Sequence, residues 1–306
     1  MRYAFIETRL ADAGNTHRLN VFCRMREVSR AGYYDWVERG HQPNPVAVAL
    51  DVAARAAHAR RRETYGPKRL RAELAEMGYQ RSLSAVKRLR KRLGLRCRHK
   101  RRFVRTTDGN HNLPVAPNLL EQRFDQTTAP NQVWVTDITY VPTDEGWLCV
   151  AAIKDLFNKR IVGWAMMDQM RTSLVSQALW MAFKQERPLI GLIHHSDRGS
   201  QDASGEYRQL LEPFGMRASM SRRGNCYDNA PMESFWASLR KEQVHHRHYK
   251  TCDEARTDIF DYIACFYAPK EVPLGDNTIR RHSALSNQSP QDFTALFAAQ
   301  KKKVAN

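Results

Sequence analysis

Two hydrophobic periods divide this chain. As far as about residue 105, apolar positions recur every three or four residues, the period of a helix with one buried face. "GPKRLRAELAEMG" places Leu70, Leu74 and Met77 at that spacing and closes on Gly78. "SLSAVKRLRKRLGL" opens at Ser82, a capping residue type, aligns Val86, Leu89 and Leu93 on one face, and stops at Gly94. Upstream, residues 1–58 read as helical, with a break at Gly32, a short helix capped by Ser29 and ending near Gly40, and a second helix from about Val46 to Arg62 after the linker "HQPNP". From Gln132 the period changes to two. "QVWVTDITYV" is a strand with Val133, Val135 and Asp137 on one face, and "GWLCVAAIKD" and "RIVGWAMM" complete an antiparallel meander. A helix over "TSLVSQALWMAFKQE", capped by Thr172, precedes a buried strand "LIGLIHHSD" ending at Asp197. A helix "SGEYRQLLEPFG", a strand "MRASMS" and a longer helix "NAPMESFWASLRKEQV", with Pro231 in its first turn, complete the pattern.

Three strands, helix, strand, helix, strand, helix is an α/β arrangement with a mixed sheet, the order of a ribonuclease H-like core. It is preceded by helical, helix-turn-helix-like segments. The divisions read as an N-terminal helical region 1–58, a basic region 59–105, a linker 106–125, a catalytic core 126–250 and a C-terminal helical region 251–306.

Charge sharpens the picture. The formal net charge is +17. Between Arg60 and Arg105 stand 18 Lys or Arg against 3 Glu, a net of +15, so a basic module adjoins a nearly neutral remainder. Such an excess points to a polyanionic partner, DNA before a membrane. Two helices joined by a short turn, the second bristling with Lys87, Arg88, Arg90, Lys91 and Arg92, suit phosphate contacts, with Lys68 and Arg69 at the start of the first. No run approaches 18 apolar residues, so a membrane partner is not expected. Six scattered cysteines, without a CxxC pair, fit a reducing cytoplasmic setting.

The acids carry the chemistry. Asp137 lies in the first strand, Asp197 just after the fourth, and Glu233 one turn into the helix after the fifth. If the first and fourth strands are neighbours, the three carboxylates converge. Converging carboxylates repel one another and call for a hard divalent cation. Two such ions, about 3.5–4 Å apart, suit phosphodiester chemistry. Magnesium is the expected ion and manganese a substitute. Arg240 and Lys241, farther along the same helix, are candidates to face DNA near the ions. Asp228 competes for the third acid's role but is better placed as a helix-start residue. His195 either pairs with DNA, orients Asp197 or is structural, the last fitting best. His245, His246, His248 and Cys252 lack the separated ligand pairs of a structural zinc site. Trp134, Trp147, Trp164, Phe235 and Trp236 read as core.

These residues stand in motifs. "WVTDITY", "HSDRGSQD" and "SRRGNCYDNAPMESF" resemble, in order, the three acidic segments of the IS3 family of bacterial insertion-sequence transposases, whose core is of the retroviral-integrase type. Thirty-five residues separate Asp197 from Glu233, the spacing in that family's D,D(35)E pattern. "VSRAGYYDW" and "YGPKRLRAELAEMGYQRSLSAVKRLRKRLGL" resemble its upstream helical segments, and "RRHSALSNQSPQDF" its closing motif. Two departures stand out: extra residues between Tyr267 and Arg281, and Asp202 where the family often has Tyr. The resemblance implies metal-dependent strand cleavage and strand transfer at insertion-sequence ends. Double-stranded DNA, terminal and target, would be the substrate. An assembly of at least two copies, associated with bacterial DNA in the cytoplasm, and an upstream partner subunit or frameshift fusion follow from the same resemblance. A structure-specific nuclease of the same core and a catalytically inert DNA-binding regulator are the alternatives.

Overall fold

The computed structural model describes residues 2–97, 116–197, 209–222, 225–267, 269 and 279–305. Contacts divide the chain into two units, Met1–Ala59 with Leu70–Leu95, and Arg60–Arg69 with Arg96–Asn306.

The first unit is helical. Its elements are α1 (Arg2–Leu10), α2 (Leu19–Met25), α3 (Arg30–Glu38), most of α4 (Pro45–Arg60), the greater part of α5 (Pro67–Glu76) and α6 (Leu83–Leu93). Ile6, Phe22, Cys23 and Tyr33 form a small core, with Tyr3 and Trp36 packed on it. Ser29 caps α3, accepting from the Gly32 N–H at 3.0 Å. The break expected at Gly32 does not occur, because α3 runs through it. Glycine serves packing there: an added Cβ would collide with the Tyr3 hydroxyl. In α6 the expected ends hold. Ser82 accepts from the Ala85 N–H at 3.2 Å, and Gly94, at φ +69°, turns the chain out. Val86 and Leu89 are buried and Leu93 is half-buried. Met77 is exposed and lies just past α5, which buries Leu70 and Leu74 instead.

The second unit is built on a five-stranded sheet. Its strands are β1 (Val133–Thr143), β2 (Gly146–Asp155), β3 (Ile161–Met167), β4 (Ile193–Ser196) and β5 (Arg217–Met220), in spatial order β3-β2-β1-β4-β5. The first three pair antiparallel, whereas β4 lies parallel to β1 and β5 parallel to β4. Alternation along β1 decides which residues face which layer. Trp134 joins Ile153 and Val162 beneath α7 (Thr172–Glu186), where Leu174, Ala178 and Leu179 are fully buried. Gly163 of β3 lets α7 approach closely, because a Cβ there would strike the Ala178 carbonyl. Thr172 does not cap this helix; Arg171 holds the cap position and makes no side-chain cap bond.

Val133, Val135 and Val141 face the other layer. There α8 (Ala230–Glu242) lays down Met232, Phe235, Trp236 and Leu239. Burying each of these large apolar groups contributes on the order of 1.5–3 kcal/mol. Pro231 sits at the start of α8, where its missing N–H costs nothing. Next come α9 (Cys252–Phe260), continued by a wider π-helical stretch Asp261–Tyr267, and α10 (Pro290–Ala305). The first five residues of the helix expected at "SGEYRQLLEPFG" lie outside the described residues; 209–211 are helical and 212–215 form a turn. The sheet order and the helices on both faces are those of the ribonuclease H-like core that the element order predicts.

Candidate active site

Asp137 belongs to the β1 face that α8 covers. Its half-buried carboxylate is held at both oxygens. Oδ1 accepts from the Ile138 N–H at 2.8 Å, and Oδ2 from the Trp236 indole N–H at 3.0 Å. Trp236, expected as plain core, therefore also touches the site. Burial, then the charges of Asp197 and Glu233, push the Asp137 carboxyl well above its ordinary range, against the two hydrogen bonds.

Parallel pairing explains how Asp197 joins. Val133 pairs with Ile193, Trp134 with His194 and Val135 with His195. Carried two residues farther, the same register sets Asp137 opposite Asp197. Glu233 lies in the first turn of α8 and is exposed. Its carboxyl is raised by partial loss of water, with Arg240 opposing. Glu233, Trp236 and Arg240 follow one another at helical spacing, so a single stripe of α8 presents all three. Arg240 donates to Thr139 Oγ1 at 2.7 Å. Its guanidinium pKa is lowered by burial and supported by the charges of Asp137 and Glu233.

The start of α8 is tied to the sheet. Asn229 donates through Nδ2 to the Thr136 carbonyl at 3.0 Å, next to Asp137. Lys154, buried on β2, donates to the Pro231 carbonyl at 3.1 Å. Burial, then Lys159 and Arg280, lower its ammonium to about 7. The sequence marks Asn229 as a residue to bond backbone near the third acid, though not its strand partner, and gives no sign of the Lys154 tie. Asn229 had a local signal, standing at the start of a helix beside an acid; Lys154 had none beyond a charge in an apolar strand.

Asp228 has a different role. It is buried and accepts from the Arg222 backbone N–H at 2.8 Å and side chain at 2.9 and 3.0 Å, from Asn118 at 3.0 Å and from Gln122 at 2.7 Å. The Arg222 hydrogen bond, above all, holds its carboxyl well below the usual range against burial. That is a structural carboxylate. His195 belongs to β4, with Ser219 Oγ of β5 at 2.8 Å and Ser221 Oγ at 3.2 Å. Burial keeps it neutral, lowered to about 4, and both ring nitrogens are occupied by serines rather than by Asp197.

The basic residues fare unequally. Lys68, Lys87, Arg88 and Lys91 are exposed, and Arg90 is half-buried. Arg92 makes a bidentate pair with Asp51 of α4, at 2.5 and 2.6 Å. Arg69 donates to the Thr64 carbonyl at 3.0 Å and lies 3.6 Å from Glu242, inside the second unit. Lys241 is half-buried. In the histidine run, His246 donates to the Lys241 carbonyl at 2.8 Å and His248 faces Asp144 at 3.1 Å. Asp202 and most of the stretch between Tyr267 and Arg281 lie outside the described residues.

Among the described residues, no three His, Cys, Asp or Glu side chains stand close enough to hold an ion as they lie. The chemistry of the acid group nevertheless fits a hard divalent cation. The donors are all carboxylate oxygens, the charges of Asp197 and Glu233 disfavour ionisation of Asp137, and among the described residues neither Asp137 nor Glu233 has a salt-bridge partner.

Known proteins give this geometry its context. Residues 127–226 match the integrase core domain, 233–294 match a second integrase core domain, and 47–103 match an HTH-like domain. The chain is 51% identical to the 31 kDa protein of insertion element IS600 from Shigella sonnei, over 90% of this chain and 98% of that protein. It is 37% identical to the transposase InsF of insertion sequence IS3A from Escherichia coli strain K12, over 96% and 98% of the two chains. The catalytic core domain of BIV integrase aligns at 12% identity with a TM-score of 0.38, over 56% of this chain and 99% of that one. No helix among the described residues is long and apolar enough to cross a membrane. With near-complete coverage by these relatives and the integrase core and HTH-like domains in order, the chain belongs to the IS3 family of insertion-sequence transposases.

Proposed function

We propose that Asp137, Asp197 and Glu233 are the catalytic acids of this DNA transposase and together hold divalent cations, magnesium in the cell with manganese as a substitute. The observation that carries the reading is the state of Asp137. Its carboxylate is fixed at both oxygens, has no salt bridge among the described residues, and feels the two other acids. A structural acid in this protein is treated differently, as Asp228 shows. Bound cations would supply charge to activate the attacking oxygen and to stabilise the leaving one.

The protein's own residues do the rest. Ile138 and Trp236 hold Asp137 in one orientation. Arg240 offsets the local negative charge and, with Lys241, faces the phosphate backbone. The exposed Lys87, Arg88 and Lys91 of α6 contact DNA phosphates in the HTH-like region, together with Lys68. In cleavage, water breaks a phosphodiester at the element end and a 3′-hydroxyl is released. In transfer, that hydroxyl attacks another strand, so one phosphodiester is exchanged for another without a covalent protein–DNA intermediate. Bringing two ends together requires at least two copies, and an upstream partner subunit or frameshift fusion completes end recognition.

The test is a cleavage-and-joining assay with labelled terminal DNA of the flanking element, with and without the upstream partner, and with Glu233→Gln as control. Joined product from the wild type and none from the variant supports the reading. Nicks without joining favour a nuclease. DNA binding with no product under either condition favours an inert regulator.

A further inference from the structure

Asn229 breaks a local rule. It occupies the position before α8 where an asparagine ordinarily caps the helix, yet it makes no side-chain cap bond. Its amide N–H is spent instead on the Thr136 carbonyl, one residue before Asp137. The side chain is only 4% exposed. Its other polar atom, Oδ1, is buried and has no hydrogen-bond partner among the described residues. Buried acceptors are nearly always satisfied, so an orphan needs a reason. Local propensity and polar satisfaction both fail at one residue, and such coincidences mark functional positions.

We infer that Asn229 is a positioning residue of the active site, sacrificing its cap bond to pin the Glu233-bearing helix onto the Asp137-bearing strand, with Oδ1 left to accept from a water held beside the acids. The inference rests on the assignment of Asp137 and Glu233 above. The geometry explains why Asn suits the position. Serine or aspartate caps a helix equally well, but neither carries an amide N–H to reach a strand carbonyl. Glu233 stands four residues later, one helical turn from the tie, so slack at Asn229 displaces the acid directly. Lys154 holds the Pro231 carbonyl beside it, which keeps the helix on the sheet but does not reach β1 next to Asp137. Among the described residues, Asn229 alone links α8's start to the peptide preceding the first acid.

The test compares Asn229→Ser, which can cap but cannot donate an amide, with Asn229→Ala, which can do neither. Manganese binding to the full-length protein is measured by electron paramagnetic resonance, below each variant's melting midpoint and without DNA, beside Asp137→Asn and Glu233→Gln. Loss of an outer partner of a metal site typically weakens binding by about 10–100-fold. We expect Asn229→Ser and Asn229→Ala to weaken manganese binding alike, by about tenfold on that scale, while DNA binding is retained. A serine variant that binds manganese like the wild type, with only alanine impaired or neither, reduces Asn229 to a cap and overturns the inference. If Asp137→Asn and Glu233→Gln leave manganese binding intact, the acid assignment itself fails, and that result is distinct from failure of the Asn229 role.

Discussion

The two ends of α8 both handle acids, in opposite ways. At the C-terminal end Glu242 is buried and answered by charge. Arg280 grips both its oxygens at 2.7 Å, Tyr262 donates to it at 2.9 Å, and Arg69 lies 3.6 Å away. Burial alone would raise this carboxyl, but Arg280, then Arg69 and Tyr262, hold it below its ordinary value. At the N-terminal end Asp137 is raised, and its hydrogen bonds come from a backbone N–H and an indole rather than from a cation. One helix thus carries a finished ion pair at one end and an unfinished one at the other. A fold that can neutralise a buried acid, and does so at Glu242 and Asp228, leaves Asp137 and Glu233 without a salt bridge among the described residues.

The sharpest way to break that contrast is to remove the unpaired acids. Asp137→Asn and Glu233→Gln should each reduce strand joining by more than about a hundredfold, beyond the effect typical of outer partners, with DNA binding and thermal stability little changed. Retained joining in both variants, scored on labelled ends, would remove the site assignment. The paired end should behave oppositely. Glu242→Gln or Arg280→Met leaves a buried partner uncompensated and should cost about 3–5 kcal/mol of stability, whereas replacing both with apolar residues should recover most of it. Denaturant melts of the single and double variants check this, and additive losses would sink the idea of a coupled pair.

Trp236→Phe should act between the two ends. It keeps most of the buried ring but deletes the N–H that fixes Asp137. The magnesium concentration for half-maximal joining should rise several-fold, toward the roughly tenfold effect of an outer-partner loss. An unchanged magnesium midpoint would return Trp236 to a purely packing role. In the first unit, changing Lys87, Arg88 and Lys91 to Gln should weaken DNA binding and lower the salt slope by about one for each phosphate that the removed charges had neutralised. Arg92→Gln should instead act mainly through its Asp51 pair, and a salt titration separates the two.

Lys154 ties folding stability to pH. Its ammonium is depressed to about 7 in the folded protein from 10.5. The unfolded chain therefore holds the extra proton across that interval, and folding stability gains as pH rises through it. Below pH 7 both states are charged and the burial penalty is whole. Thermal melts from pH 7 to 10 should show the wild type gaining on Lys154→Met. Parallel curves would show that Lys154 keeps its ordinary affinity for protons.

Much of this molecule is readable along the chain. The change from helical to alternating period separates α6 from β1, because a helix face and a pleated strand expose side chains at different intervals. Ser82 and Gly94 mark the ends of α6 by their own backbone chemistry. Gly32 reads wrongly as a break, since only the Tyr3 hydroxyl beside it reveals that the small residue serves packing. Arg69 and Arg92 look like their neighbours in a basic run, yet one lies against Glu242 and the other is paired with Asp51.

The sequence alone determined the order of elements, the placement of the basic region and the three acids with their spacing, for these follow from local periodicity and from motifs that run in line. Tertiary structure decided which acids are neutralised and which are held without a salt bridge. That choice depends on what lies across the fold. Glu242 is quieted by Arg280, 38 residues away, and Asp137 is oriented by Trp236, 99 residues away. An aspartate in a strand has the same identity in either case; only the groups packed against it set whether its charge is satisfied or available for chemistry.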